Sequence, residues 1–197
     1  MVSMCAEWVV NFREYQSFNY KEEISMSDFS YKTDVHINAP IERVYRYLAD
    51  FPRHVEWNHQ PQAMTALTEG ETAVGSQYRT EETNPSNMPL MQRIMMPLMR
   101  MRYKSETFTI AEITDLNPNK RVAWTAHAPN KQGKKLMQMH WELLLEEKNG
   151  GTQVTQSCEI DPPADSPFAS MVSDDMVANG KAETARNLKR LKSILEA

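Results

Sequence analysis

The sequence lacks most of the features by which a chain announces a specialised compartment or chemistry. Of its 197 residues only two are cysteine, Cys5 and Cys158, with no CxxC pair and no His/Cys spacing of a zinc site. No disulfide framework is expected, nor a metal or a cofactor. No apolar run approaches the roughly 20 residues of a membrane helix. The N-terminus, MVSMCAEWVVNF, has Glu7 where a secretory leader carries basic residues. A soluble, cytoplasmic protein without an integral membrane segment is therefore expected. Positive charge is not in surplus either. The formal net charge is −4, which offers nucleic acid no basic face. No nucleophile elbow, Gly-rich phosphate loop, HExxH or triad order occurs.

What is present is an ordinary globular composition, 41% hydrophobic and 24% charged, long enough for one sizeable core. Residues 31–38 alternate. Tyr31, Thr33, Val35 and Ile37 fall on one side and Lys32, Asp34, His36 and Asn38 on the other, the period of a half-buried strand. At Ala39-Pro40 the period changes. Pro40 suits a first helical turn, Asn38 is a candidate cap, and Ile41, Val44, Tyr45 and Leu48 recur at helical spacing. Asp50-Phe51-Pro52 breaks this helix, and a second short turn ends on Trp57.

Strand patterns follow at 63–69, 75–82, 103–115, 121–127, 137–145 and 152–160, separated mostly by short turns. Asn149-Gly150-Gly151 is the strongest hairpin signal among them. Short connections favour an antiparallel meander. After Pro162-Pro163, residues Met171, Val172, Met176, Val177, Thr184, Leu188, Leu191 and Leu195 form a long helical stripe, which needs a sheet to cover it. The expected class is α+β: a seven-stranded curved antiparallel sheet around a long C-terminal helix, with two short helices after the first strand.

Methionine is concentrated in one place. Six of the 14 Met, at 88, 91, 95, 96, 99 and 101, lie in a stretch at 84–102 that interrupts two neighbouring strands. Met91, Ile94, Met95 and Leu98 share a helical face, and methionine adapts to varied apolar shapes. Three readings stand: a lid over an apolar cavity, a filler of the protein's own core, or a contact for a partner protein.

The order of elements resembles the helix-grip fold of the START-like (SRPBCC) superfamily. The resemblance is most specific over Val35 to Trp57, VHINAPIERVYRYLADFPRHVEW, with support from Val74-Gly75-Ser76-Gln77-Tyr78 and Arg121-Val122-Ala123-Trp124. It is closest to the polyketide cyclase/dehydrase branch. It covers 29–197, as one ligand-binding domain with the Met-rich insert, and leaves residues 1–28 as an N-terminal extension. The resemblance implies a cavity between sheet and last helix that holds a small hydrophobic ligand, lipid-like or polyketide-like. It brings no universal catalytic signature.

Alternation directs Tyr78, Trp124, Met137, Met139 and Trp141 toward that cavity, with Met176 and Thr184 from the last helix. Together with Trp57, Met91 and Met95 these are the candidate ligand contacts, although core filling accounts for each taken singly. For chemistry, His127 at a strand end is the best general base among the five histidines, and Tyr78 is its candidate companion. Ligand binding is the leading expectation. An enzyme of the cyclase/dehydrase type, and an interaction module built on the insert and the extension, are the alternatives.

Overall fold

The computed structural model describes residues 29–59, 63–81, 101, 106–161 and 172–197. The opening alternation forms β1, Ser30–Ile37, with Tyr31 and Ile37 buried and Lys32 and Asp34 exposed. Helical spacing then yields α1, Ile41–Ala49, which buries Ile41, Val44, Tyr47 and Leu48. Two details differ from expectation. The N-cap is Pro40 rather than Asn38, and its carbonyl accepts the Arg43 and Val44 N–H groups at 3.0 and 3.1 Å. Asn38 lies too early to cap; its own N–H goes to Glu196 Oε1 at 2.6 Å, joining this corner to the C-terminal end of the chain. Tyr47, not Tyr45, completes the buried stripe. Its hydroxyl donates to Glu56 at 2.8 Å and the Arg53 guanidinium covers its ring at 4.3 Å, so the following turn shields that side of the helix.

A single 3-10 turn, Phe51–Arg53, and the short helix α2, His54–Trp57, complete the crossing. The remaining strands are β2 Ala63–Ala66, β3 Gln77–Glu81, β4 Phe108–Asn117, β5 Arg121–Pro129, β6 Lys135–Lys148 and β7 Gly151–Asp161. They form one seven-stranded sheet in the order β1-β7-β6-β5-β4-β3-β2, antiparallel throughout. β1 and β2 are consecutive yet sit at opposite edges, so α1 and α2 carry the chain across the sheet. Asn149 and Gly150, with φ of 51° and 77°, make the two-residue turn that the strand twist favours between β6 and β7. A bulge in β4 between Ile113 and Asp115 adds twist at mid-sheet.

The last helix, α3, spans Asp174–Leu195. Ser173 Oγ accepts the Met176 N–H at 3.4 Å, and Asp174 and Asp175 sit at the positive end of the helix dipole. α3 packs against β1. Lys192 Nζ donates to the His36 carbonyl at 2.8 Å. At Gly180 a Cβ would come within 2.9 Å of the Tyr31 ring, so glycine permits the close approach. This is the helix-grip fold.

Candidate functional site

The sheet has two faces, and pairing assigns each side chain to one of them. The inner face, toward α3, carries cross-strand rows. Met139 pairs with Ile160, Trp141 with Cys158, Leu143 with Gln156 and Leu145 with Val154. On the neighbouring strand Trp124 pairs with Trp141, Ala126 with Met139 and Ala128 with Met137. Trp124 and Trp141 stack nearly parallel, their rings 6.0 Å apart.

One end of this face is closed. Ile37, Val44, Leu48, Phe51, Trp57, Leu143, Leu188 and Leu191 are all buried there in one cluster. His54 lies among them with 1% exposure, its ring 4.5 Å from Phe51, 5.0 Å from Trp57 and 5.3 Å from Trp124. Its Nε2–H donates to the Leu48 carbonyl at 2.8 Å, one of the carbonyls that the end of α1 leaves without a helical partner. Burial pushes the imidazole down to about 4, so it is neutral at physiological pH. Asn187 of α3 fastens the same end. Its Nδ2 donates to Asn58 at 2.9 Å and its Oδ1 accepts the His59 N–H at 3.2 Å.

The other end is more open. A second cluster there has Tyr31, Cys158, Ile160 and Val172 buried, with Phe29, Met137, Met139, Trp141, Met176 and Val177 only partly buried against them. The chain enters β1, leaves β3, enters β4 and leaves β7 at this same end, as the pairs Ser30–Glu159, Glu81–Phe108 and Gln138–Asp161 show. Polar groups accompany the apolar ones. The Thr184 hydroxyl donates to the Tyr31 phenol at 3.4 Å. Burial raises the Tyr31 phenol and pushes the Cys158 thiol up to about 12, so both stay protonated.

The predicted contacts separate accordingly. Met137, Met139, Trp141 and Met176 meet at the open end, and Trp124 bridges the two ends through its stack on Trp141. Trp57 is enclosed at the closed end with no exposure, and its indole N–H has no partner among the described residues. Tyr78 faces inward but is packed 5.0 Å from Phe51, with its hydroxyl hydrogen-bonded to Thr72 at 2.7 Å. His127 alternates with Ala126 and so belongs to the outer face, where burial and Lys135 lower its basicity and Glu112 opposes them. Tyr78 and His127 are therefore on opposite faces of the sheet. Met91 and Met95 lie outside the described residues.

Sequence reasoning put Tyr31 with Val35 and Ile37, and Gln156 and Cys158 with Val154 and Ile160, but named none of the three as a ligand contact. The signal was present in the alternation of β1 and β7, but a polar residue in an apolar row reads as an exception until its neighbours are known. The outer face is a polar ladder. Gln77 donates to Glu112 at 2.9 Å, Gln138 and His140 are linked at 3.1 Å, and Arg121 pairs with Glu142 at 2.5 Å. Among the described residues no cluster of His, Cys, Asp or Glu is arranged to hold a metal ion, and no helix is long and apolar enough to cross a membrane.

An antiparallel sheet gripping a long C-terminal helix over an apolar inner face defines the START-like class of proteins. Residues 28–196 match the model of the polyketide cyclase/dehydrase and lipid transport family, and the chain belongs to it. Solved structures agree on the fold. A protein of Chromobacterium violaceum is 19% identical with a TM-score of 0.56, over 86% of this chain and 98% of that one. The protein Ara h 8.0201 is 12% identical with a TM-score of 0.57, over 84% of this chain and 96% of its own. DynU16, from the dynemicin biosynthetic locus, is 15% identical with a TM-score of 0.54, over 86% of this chain but 48% of its own. No curated protein sequence matches the chain.

Proposed function

We propose that this protein binds a small hydrophobic ligand on its inner face, at the open end between the sheet and α3. The observation that carries the reading is the contrast in cover. Met137, Met139, Trp141, Met176 and Val177 are apolar side chains left partly buried at the open end, Met139 and Trp141 also touching the main cluster, while Ile37, Val44, Leu48, Phe51, Trp57, Leu143, Leu188 and Leu191 at the closed end are exposed by 1% or less. Transfer of apolar surface from water is worth about 25 cal/mol per Å². These side chains and a ligand both gain by covering one another. The family's description, which includes lipid transport, supports the same reading. Native mass spectrometry of the purified protein, followed by lipid extraction, tests it. A co-purifying apolar molecule is the expected result. A protein that arrives empty and takes up no apolar fluorescent probe overturns it.

The alternative is a cyclase/dehydrase-type enzyme acting on a ligand held in the same place. It is favoured by the family's description and by the likeness to a protein of a biosynthetic locus. The enzyme would work chiefly by folding a flexible chain into a reactive shape. Of the two residues expected to assist, Tyr78 faces inward, whereas His127 would have to act from the outer face. Turnover of a polyketide-like substrate that survives Tyr78→Phe and His127→Ala removes both residues from that role.

A further inference from the structure

The inner face holds a polar group that the fold itself does not use. Gln156 of β7 is 2% exposed, paired with Leu143 on one side and Thr33 on the other. Its amide Oε1 is buried and has no hydrogen-bond partner among the described residues. Folded proteins rarely keep such an acceptor without some partner to satisfy it. Its position is informative. On its closed side stand Leu145 and Val154, members of the main apolar cluster. On its open side stand Tyr31 and Cys158, members of the second cluster. Gln156 thus stands on the inner face at the boundary between the two clusters.

The surroundings restrict what can pair with it. The Tyr31 phenol, the Thr184 hydroxyl and the Cys158 thiol are uncharged neighbours in the adjoining row. Among the described residues no Asp, Glu, Lys or Arg is fully buried. A charged head group brought to this depth would lose its hydration without gaining a counter-ion. Glu183, whose field reaches Tyr31, is itself an anion and opposes a carboxylate.

We infer that this site selects a neutral apolar ligand carrying a hydroxyl or equivalent hydrogen-bond donor, which it directs at Gln156 Oε1. The inference rests on the proposed ligand-binding function and narrows it to a ligand class. The test uses 2-naphthol, 2-methoxynaphthalene and 2-naphthoate, which share one ring system and differ in the polar group. Affinities are measured by calorimetry at neutral pH for the wild-type protein, Gln156→Met and Gln156→Leu. The wild type should bind 2-naphthol about tenfold more tightly than 2-methoxynaphthalene, the worth of one buried hydrogen bond. It should bind 2-naphthoate most weakly. Both variants should lose the preference for naphthol and keep their affinity for the methoxy compound. Equal binding of all three probes by the wild type overturns the inference and leaves the ligand-binding reading standing. A preference that persists in both variants also overturns it, since the donor must then go elsewhere. Binding of none of the probes overturns the ligand-binding reading and the inference with it. If circular dichroism shows that neither variant folds, the three wild-type affinities decide the matter.

Discussion

At the closed end of the inner face, Leu143 and Leu145 of β6 have almost no exposure and share one cluster with Leu188 and Leu191 of α3 and Val44 and Leu48 of α1. At the open end, Met137, Met139 and Trp141 of the same β6 strand face the same way, yet are only partly buried. Strand alternation is identical in the two regions. The difference is the third layer. The helix pair α1–α2 crosses only the closed end, because it must travel from β1 at one edge to β2 at the other. Three methionines, Met137, Met139 and Met176, are among the partly buried side chains of the open end, and methionine adapts readily to varied apolar shapes. On the proposed function, stability and binding are separated along one face.

The comparison can be broken most directly by truncation. Phe51→Ala, at 1% exposure between Tyr78 and Trp124, should cost about 3–5 kcal/mol in urea unfolding, whereas half-covered Met139→Ala should cost about 1 kcal/mol. Equal costs would erase the distinction between the ends.

Acid should attack the closed end first. The imidazole of His54 is held down at about 4, against an ordinary value of 6.5. The unfolded chain therefore binds the extra proton more readily. The stability from keeping His54 neutral is intact above 6.5 and is lost as pH falls toward 4, by on the order of 3 kcal/mol. Unfolding midpoints across that window should fall with pH in the wild type, and a His54→Gln variant that folds should show a shallower fall. Parallel slopes in the two proteins would assign the acid sensitivity elsewhere.

Binding should respond in the opposite sense. Met139→Ser with Met176→Ser should weaken an apolar fluorescent probe about tenfold, as expected for apolar area no longer covered. Val154→Ala at the closed end should lower the melting temperature and leave probe affinity unchanged. The smallest effect is expected at Tyr78. Tyr78→Phe removes the hydrogen bond to Thr72 and should cost about 1 kcal/mol without altering probe affinity. A large loss of affinity would show that the hydroxyl turns from Thr72 to the ligand.

Much of this was legible beforehand, for reasons that particular residues make plain. The switch at Ala39-Pro40 from period two to helical spacing is local chemistry, so β1 and α1 can be read from it directly. Asn149-Gly150 adopts positive φ at both positions, which few other pairs tolerate, so the β6–β7 hairpin was visible too. The site was less so. His54 reads as one more residue in a loop near Trp57, and nothing local says that the Leu48 carbonyl lies within hydrogen-bond reach of its ring. Tyr45 and Tyr47 fit the α1 stripe about equally, and Arg53 and Glu56 from the next turn decide between them. His127 and Tyr78 look comparable in sequence, but alternation through β5, β4 and β3 sends them to opposite faces.

The sequence by itself determined the elements, their antiparallel meander and the helix that the sheet would grip, because periodicity, proline placement and turn residues act over a few neighbours. Only the tertiary structure decided which stretch of the inner face is fully buried and which is left partly covered, and that Gln156 Oε1 has no partner among the described residues where the two meet. That depends on which elements cross over which rows, and crossing brings together residues more than 100 positions apart, as with Tyr31 and Thr184. No local pattern encodes such a meeting. It follows from packing the curved sheet, the helix pair and α3 into one body.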